Sequence, residues 1–246
     1  MPPADKVTAD QRTTPPQPAA TAKLPRGAKR KRDTRVRLLT AALHLMAYRG
    51  MAGVTINEIT EQADVGFGSF YNHFESKEAI HAALIDEVIS HFAAALDKLG
   101  EQLTDPAEKV AASTRYTLLR GMADPIWGRF VFQTNFSRDS MSSGLGRYLL
   151  QDMGAGLSAG RFTVADLPSA YIAAGSTILG ALAAISDQTQ AGKQNEPARF
   201  GDAQTLPQRI AAMVLTILGL GRDEAHQIAG RPLPQIELPT NPFAPG

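Results

Sequence analysis

Cysteine is absent from all 246 residues, which excludes disulfides, thiolate metal sites and a cysteine nucleophile. Histidine is scarce: five are scattered along the chain without the Cys or Asp/Glu pairing a metal site needs. No Gly-rich phosphate loop, His/Glu zinc spacing or Gly-x-Ser-x-Gly elbow occurs, so the sequence reads as a protein without catalytic centre, metal or cofactor. No apolar h-region opens the sequence, so a secretory leader is not expected. The most apolar run, 170–185, is short for a bilayer and broken by Gly175, Ser176 and Gly180. The expectation is therefore a cytoplasmic protein with no membrane partner. Strand-like alternation and internal repeats are missing too, which leaves an all-α chain.

What is present fits a globular protein, at 43% apolar and 20% charged residues. The net charge of +1 conceals an asymmetry. Residues 1–37 hold ten Lys/Arg against Asp5, Asp10 and Asp33, a balance of +7, so the remainder carries −6. A basic arm on an acidic body is the pattern expected of an arm that meets a polyanion. Residues 1–32 contain six prolines among Ala, Thr, Gln and Lys and read as disordered.

Helical spacing begins at Asp33 or Thr34, where Leu38, Leu39, Ala42, Leu45 and Met46 form a stripe that Gly50 ends. Thr55 and Glu58 make a capping-box pair for a second helix. Asp64-Val65-Gly66 is a turn, with Gly66 at the N-cap of a third helix. Ser76 caps a fourth, Lys77 to about Leu99. Asp105-Pro106 and Asp124-Pro125 each pair a cap with a proline in the first turn, opening helices to about Met122 and over 126–136. Further helices are expected at about 144–159, 166–190, 203–220 and 223–229, the last opening a Pro-rich tail.

Two short helices joined by a tight turn, in the stretch TINEITEQADVGFGSFYNHFESKEAI from Thr55 to Ile80, have the layout that holds a second helix in the DNA major groove. Its residues resemble the tetracycline-repressor (TetR) family of bacterial regulators. The matching positions are Thr55, Ile59, Ala63, Val65, Gly68, Ser69, Phe70, Tyr71, His73, Phe74, Ser76, Lys77 and Glu78. Departures are Thr60 for Ala, Asp64 for Gly and Gly66 for Ser. Farther along, only the helix order, the Trp127–Phe130 neighbourhood and the closing Arg231–Pro234 match.

The resemblance implies a three-helix helix-turn-helix unit at 33–81 after the arm (1–32). A ligand-binding and dimerisation bundle (82–222) and the tail (223–246) would follow. It implies a homodimeric repressor that leaves a palindromic double-stranded operator when a small apolar effector fills its bundle. In it Phe67, Ser69 and Asn72 face base edges, with Gly68 beside them. Tyr71, His73 and Lys77 grip phosphates, and Thr55 and Asn57 add contacts. An effector-independent architectural DNA binder is the alternative.

The residues themselves leave some choices open. Asn72 can bond adenine and Ser69 either base class, but both are also ordinary solvated helix residues. Phe67 suits a thymine methyl or packing on the fourth helix. From Leu38 to His81 the charge is −3, so Lys29, Arg30, Lys31, Arg32 and Arg35 are expected to supply the phosphate charge, along the backbone or in the minor groove; a solubilising tail is the other reading. Tyr116, Met122, Trp127, Phe130, Phe136, Tyr148 and Met153 line a cavity or form plain core. Leu179, Leu182, Ile210, Met213, Val214 and Ile217 would form the dimer face, with Gly175, Gly180 and Ala183 allowing close helix approach. Arg115, Arg120 and Arg129 read as surface charges.

Overall fold

Nothing from Arg26 to Arg32 opposes a helix except Gly27, since arginine, lysine and alanine are strong helix formers. In the structure, a computed structural model describing residues 26–134, 144–190, 202, 204–236, 239 and 243, the first helix accordingly begins early. Helix α1 runs Arg26–Arg49. The boundary expected at 32/33 is therefore corrected: Lys29–Arg32 are exposed on a helix, and only residues 1–25 of the arm lie outside the described residues.

Short helices α2 (Ile56–Gln62) and α3 (Phe67–Tyr71) follow. The turn between them passes through Asp64 at φ 50°, the left-handed region where the family's glycine would be free of strain. Arg37 donates to the Asp64 carbonyl at 3.1 Å and steadies it. Next comes one continuous rod: α4 (Lys77–Leu84), a π-helical turn (Ile85–Ser90) and α5 (His91–Gly100). Inside that turn the buried Trp127 indole donates to the Val88 carbonyl at 3.1 Å. Its ring meets Phe92 edge-on, with centroids 4.9 Å apart.

The rest of the bundle is α6 (Pro106–Ala123), α7 (Pro125–Thr134), α8 (Gly144–Ser158), α9 (Leu167–Gln190), α10 (Leu206–Ile217) and α11 (Arg222–Ala229). No strand occurs among the described residues. Helices α6 and α7 approach closely because both are glycine at the crossing. A Cβ on Gly121 would meet the Leu182 side chain at 2.4 Å, and one on Gly128 would lie 3.3 Å from the Gly121 Cα. At Gly175 and Gly180, expected to allow close approach in the dimer face, nothing among the described residues lies within 4 Å of an added Cβ.

One apolar core joins α1, α2, α3 and α4 to α7 and α9: Leu38, Met46, Ile59, Phe70, Leu84, Trp127, Phe130 and Leu182 all belong to it. It passes through the 81/82 boundary without a break, which ties the helix-turn-helix unit mechanically to the bundle. A second core joins α6, α8, α9, α10 and α11 through Met153, Phe162, Ala174, Val214 and Ile228. The tail is likewise built in. α11 buries Ala225 and Ile228, Arg115 donates to the Arg231 carbonyl at 2.5 Å, and Tyr116 donates to the Pro234 carbonyl. Both Lys77–Gly100 and Leu167–Asp187 are long and apolar enough to cross a membrane, contrary to the expectation from 170–185. Ile80, Leu84, Phe92, Leu96, Leu182 and Ile185 on them serve as core of the bundle instead.

Candidate nucleic-acid interface and internal cavity

The capping box that starts α2 fixes the edge of the candidate interface. Glu58 Oε2 accepts from the Thr55 amide and hydroxyl, each at 2.8 Å, and Thr55 Oγ1 accepts from the Glu58 amide at 3.3 Å. Arg49 pairs with the same carboxylate at 2.8 Å. The Thr55 bonds first, then Arg49, hold the Glu58 carboxyl down to about 2. Three sequence-predicted contact residues are thus engaged within the chain. The Thr55 hydroxyl serves Glu58, Asn57 donates to Glu61 at 3.1 Å, and Lys77 donates to the Val54 carbonyl at 2.9 Å. An ammonium has three donors, so Lys77 keeps capacity for a phosphate while tying α4 to the loop before α2.

Helix α3 rests on one buried anchor, Phe70 at 0% exposure, and turns Phe67, Gly68 and Tyr71 outward. Phe67 and Tyr71 are 51% and 52% exposed, with rings edge-on at 5.6 Å. Phe67 therefore faces solvent and is not part of the packing against α4. Gly68 and Asn72 are also exposed and Ser69 is half-buried. Asn72 closes the helix as its C-cap. Beyond it His73 lies within the field of Lys31 and Arg35; burial first, then those two cations, lower its pKa below the usual imidazole value. Arg35 is committed to Glu87 at 2.6 Å and lies over the Phe74 ring. The face as a whole is an aromatic and amide surface flanked by the basic first turns of α1.

Between α5, α6, α8 and α9 is a cavity of about 530 Å³. Leu96, Val110, Val131, Leu149, Leu179 and Leu182 supply apolar wall, and Tyr148 and Tyr171 supply rings. Of the seven cavity candidates named from the sequence, only Tyr148 lines it among the described residues, and Phe136 lies outside them. Trp127 and Phe130 are fully buried core, Tyr116 holds the tail, and Met122 packs against the first core. Met153 is second-core.

Sequence periodicity missed the charged lining: Asp97, Glu101, Lys109 and Asp152. Asp152 stands in the same register of α8 as Leu145, Tyr148, Leu149 and Ala155, a carboxylate in an otherwise inward stripe. That was a usable signal. Burial pushes its carboxyl up to about 6, Lys109 opposing and Asp97 assisting the rise. Because its pKa in the fold exceeds the unfolded 3.8, the folded state holds this proton more tightly. The contribution to stability is full below pH 3.8 and is lost as pH rises through about 6. Asp152→Asn is therefore expected to stabilise the protein at pH 8 by roughly 1–3 kcal/mol after allowance for partial exposure, and by little at pH 4. Thermal melts of both proteins at the two pH values test this; equal gains at both would contradict it.

The expected dimer residues also separate. Leu182 and Val214 are fully buried inside this chain and cannot meet a partner; Leu179 lines the cavity; Ile210 and Ile217 are half-buried. Among the described residues of the bundle, Met213, 56% exposed on α10, Ile172, 63% exposed on α9, and to a lesser degree Leu119 on α6 are the large apolar residues that remain outside. The three arginines read as surface charges are structural. Arg115 is 8% exposed, Arg120 pairs with Asp124 and lies over Trp127, and Arg129 pairs with Asp187 and lies over Tyr48.

Comparison with known proteins bears on both sites. Residues 38–84 match a family model described as bacterial regulatory proteins, tetR family. Residues 105–231 match one described as tetracyclin repressor-like, C-terminal domain. Among curated proteins, the HTH-type transcriptional repressor NemR of Escherichia coli (strain K12) is 39% identical over 71 residues, 29% of this chain and 34% of NemR. EthR of Mycobacterium tuberculosis, an HTH-type transcriptional regulator, is 32% identical over 91 residues, 35% of this chain and 42% of EthR. The matched stretch thus spans well under half of these relatives. A solved structure of RolR with its ligand resorcinol is 35% identical with a TM-score of 0.60, covering 85% of this chain and 100% of RolR.

Proposed function

Because the chain belongs to the tetracycline-repressor (TetR) family of bacterial regulators, we propose that it is a sequence-specific DNA-binding transcription regulator. It acts in the cytoplasm as a homodimeric repressor that leaves its operator when a small effector fills the cavity between α5, α6, α8 and α9. The observation that carries the reading is α3: one buried anchor, Phe70, presents Phe67, Ser69, Tyr71 and Asn72 outward from a capped frame. Phe67 meets a thymine methyl, and Ser69 and Asn72 bond base edges. Tyr71, His73, Lys77 and the first turns of α1 hold phosphates. Thr55 and Asn57 lie at the rim, where their internal bonds fix α2 before they contact the backbone.

RolR has resorcinol as its ligand, and a ligand of that size fits within about 530 Å³. Val131 links cavity to interface. It lines the cavity from α7, whose neighbouring Arg129 and Phe130 pack on Tyr48 of α1 and His81 of α4. A second copy would cover Ile172 and Met213, where Gly175 and Gly180 leave room for a partner backbone.

Selection of bound duplexes from a random library is the test, repeated with cavity ligands. A two-fold symmetric site with half-sites about one helical turn or more apart supports the reading; recovery of no preferred sequence defeats it, and a preferred site that no ligand releases points to the architectural alternative. Ile172→Glu with Met213→Glu is expected to turn a dimer into a monomer in sedimentation and to weaken operator binding about a hundredfold or more, by removing the second half-site.

A further inference from the structure

The cavity has an unbalanced polar end. Asp97 and Glu101 reach it from α5 and the residue after it, Asp152 from α8, and Lys109 alone opposes them from α6. Lys109 and Asp97 are each near enough to act electrostatically on Asp152. No ion pair within 4 Å engages any of the four among the described residues. Asp97 and Asp152 are half-buried while Glu101 is exposed, and carboxylates drawn partly out of water without donors are costly to leave unsatisfied. The rest of the wall is mostly apolar, with two tyrosines and the polar side chains of Ser113, Thr114, Thr117, Gln151 and Ser176. Among the described residues none of these polar side chains bonds to the acids.

We infer that the cavity selects a compact, mostly apolar ligand whose polar end donates hydrogen bonds, and that Asp97 and Asp152 are the acceptors that read it. The inference rests on the regulator reading for the ligand's purpose, but the chemistry follows from the cavity. A ligand ending in a carboxylate or phosphate would place an anion beside two or three carboxylates and one lysine. A hydrocarbon or ether would displace water from them and give no donor back. A hydroxyl or an ammonium group satisfies the acids, and the aromatic walls accept the body of either. These are two sources of the same donor chemistry. Site and wall also divide the work: tyrosines and aliphatic residues set size, while the carboxylates reject by charge.

Four one-ring probes separate the cases on the full chain: resorcinol, 1,3-dimethoxybenzene, benzylamine and benzoate. Binding is read by calorimetry and thermal melts at pH 7.5, without DNA. Resorcinol or benzylamine is expected to bind at least about tenfold more tightly than the other two. Preference for resorcinol names a hydroxyl ligand, and preference for benzylamine an ammonium one. Asp97→Ala and Asp152→Ala should each weaken the preferred probe about tenfold or more, with cooperative melting as the check on folding. The inference is overturned if benzoate or 1,3-dimethoxybenzene binds as well as the donors. It is equally overturned if no probe binds, or if the double alanine variant binds the donor unchanged. Failure to select any DNA sequence would instead sink the regulator reading and leave these binding results standing.

Discussion

Replacing Lys29, Arg30, Lys31 and Arg32 together by alanine is expected to weaken operator binding by about 10²–10³-fold and to flatten its log–log salt dependence by roughly 3. The helix-turn-helix stretch 38–81 carries −3 and cannot hold a polyanion on its own charge. The first three turns of α1, Arg26–Arg37, carry seven basic residues against Asp33 alone, and Lys29–Arg32 are exposed. At 1.5 Å per residue those turns extend roughly 16 Å, about five base pairs of duplex. A helix about 10 Å across does not enter a minor groove about 6 Å wide, so on a duplex Lys29–Arg32 would run beside the phosphates instead of threading the groove. Being preformed, they bring their charge without the ordering cost of a loose arm.

Alanine keeps helix propensity, so the variant should melt like the parent. Anisotropy titrations on the selected duplex between 50 and 200 mM salt measure both quantities. An unchanged slope would return these residues to a solubilising role. Arg35 is the control: bound to Glu87 and stacked over Phe74, its loss should lower stability more than it lowers the salt slope.

The same helix shows where sequence reading succeeded and where it stopped. Caps and turns act between residues three or four apart, so Thr55 with Glu58, Ser76, Asp105-Pro106 and Gly66 placed the helix starts correctly. The start of α1 was missed because a run of Lys and Arg looks alike in a disordered tail and on an exposed helix; their propensity, not their pattern, decides. Phe70 and Phe74 are core, and Phe67 was left open between base contact and packing because its exposure depends on where α4 crosses. The cavity was least legible. Aromatic residues at helical spacing, such as Trp127 and Phe130, went to core, while the lining came from aliphatic residues, Tyr148 and Tyr171, and the charged Asp97, Glu101, Lys109 and Asp152. Which inward face borders a void depends on how helices separate, and only packing fixes that. For the same reason Leu182 and Val214 looked like dimer surface but belong to the chain's own core.

Trp127→Ala is expected to cost about 3–5 kcal/mol, lowering the melting temperature by roughly 6–20 °C for a chain of this size, while Trp127→Phe costs about 1–3 kcal/mol. The indole does two separable things. Its rings fill the core between α7 and the α4–α5 rod, against Phe92 and under Arg120, and phenylalanine retains much of that packing. Its Nε1 donates to the Val88 carbonyl inside the π-helical turn, and phenylalanine leaves that buried acceptor without its donor. The turn lies between Leu84, which packs in the core shared with the DNA-facing helices, and Ala93, which borders the cavity. A local loosening there should remain local. Amide exchange in Trp127→Phe is therefore expected to speed up over Ile85–His91 and to stay near the parent rate in α6 and α10. Exchange that rises evenly through the bundle would mean the tryptophan acts only as core volume, and a phenylalanine variant as unstable as the alanine one would mean the same.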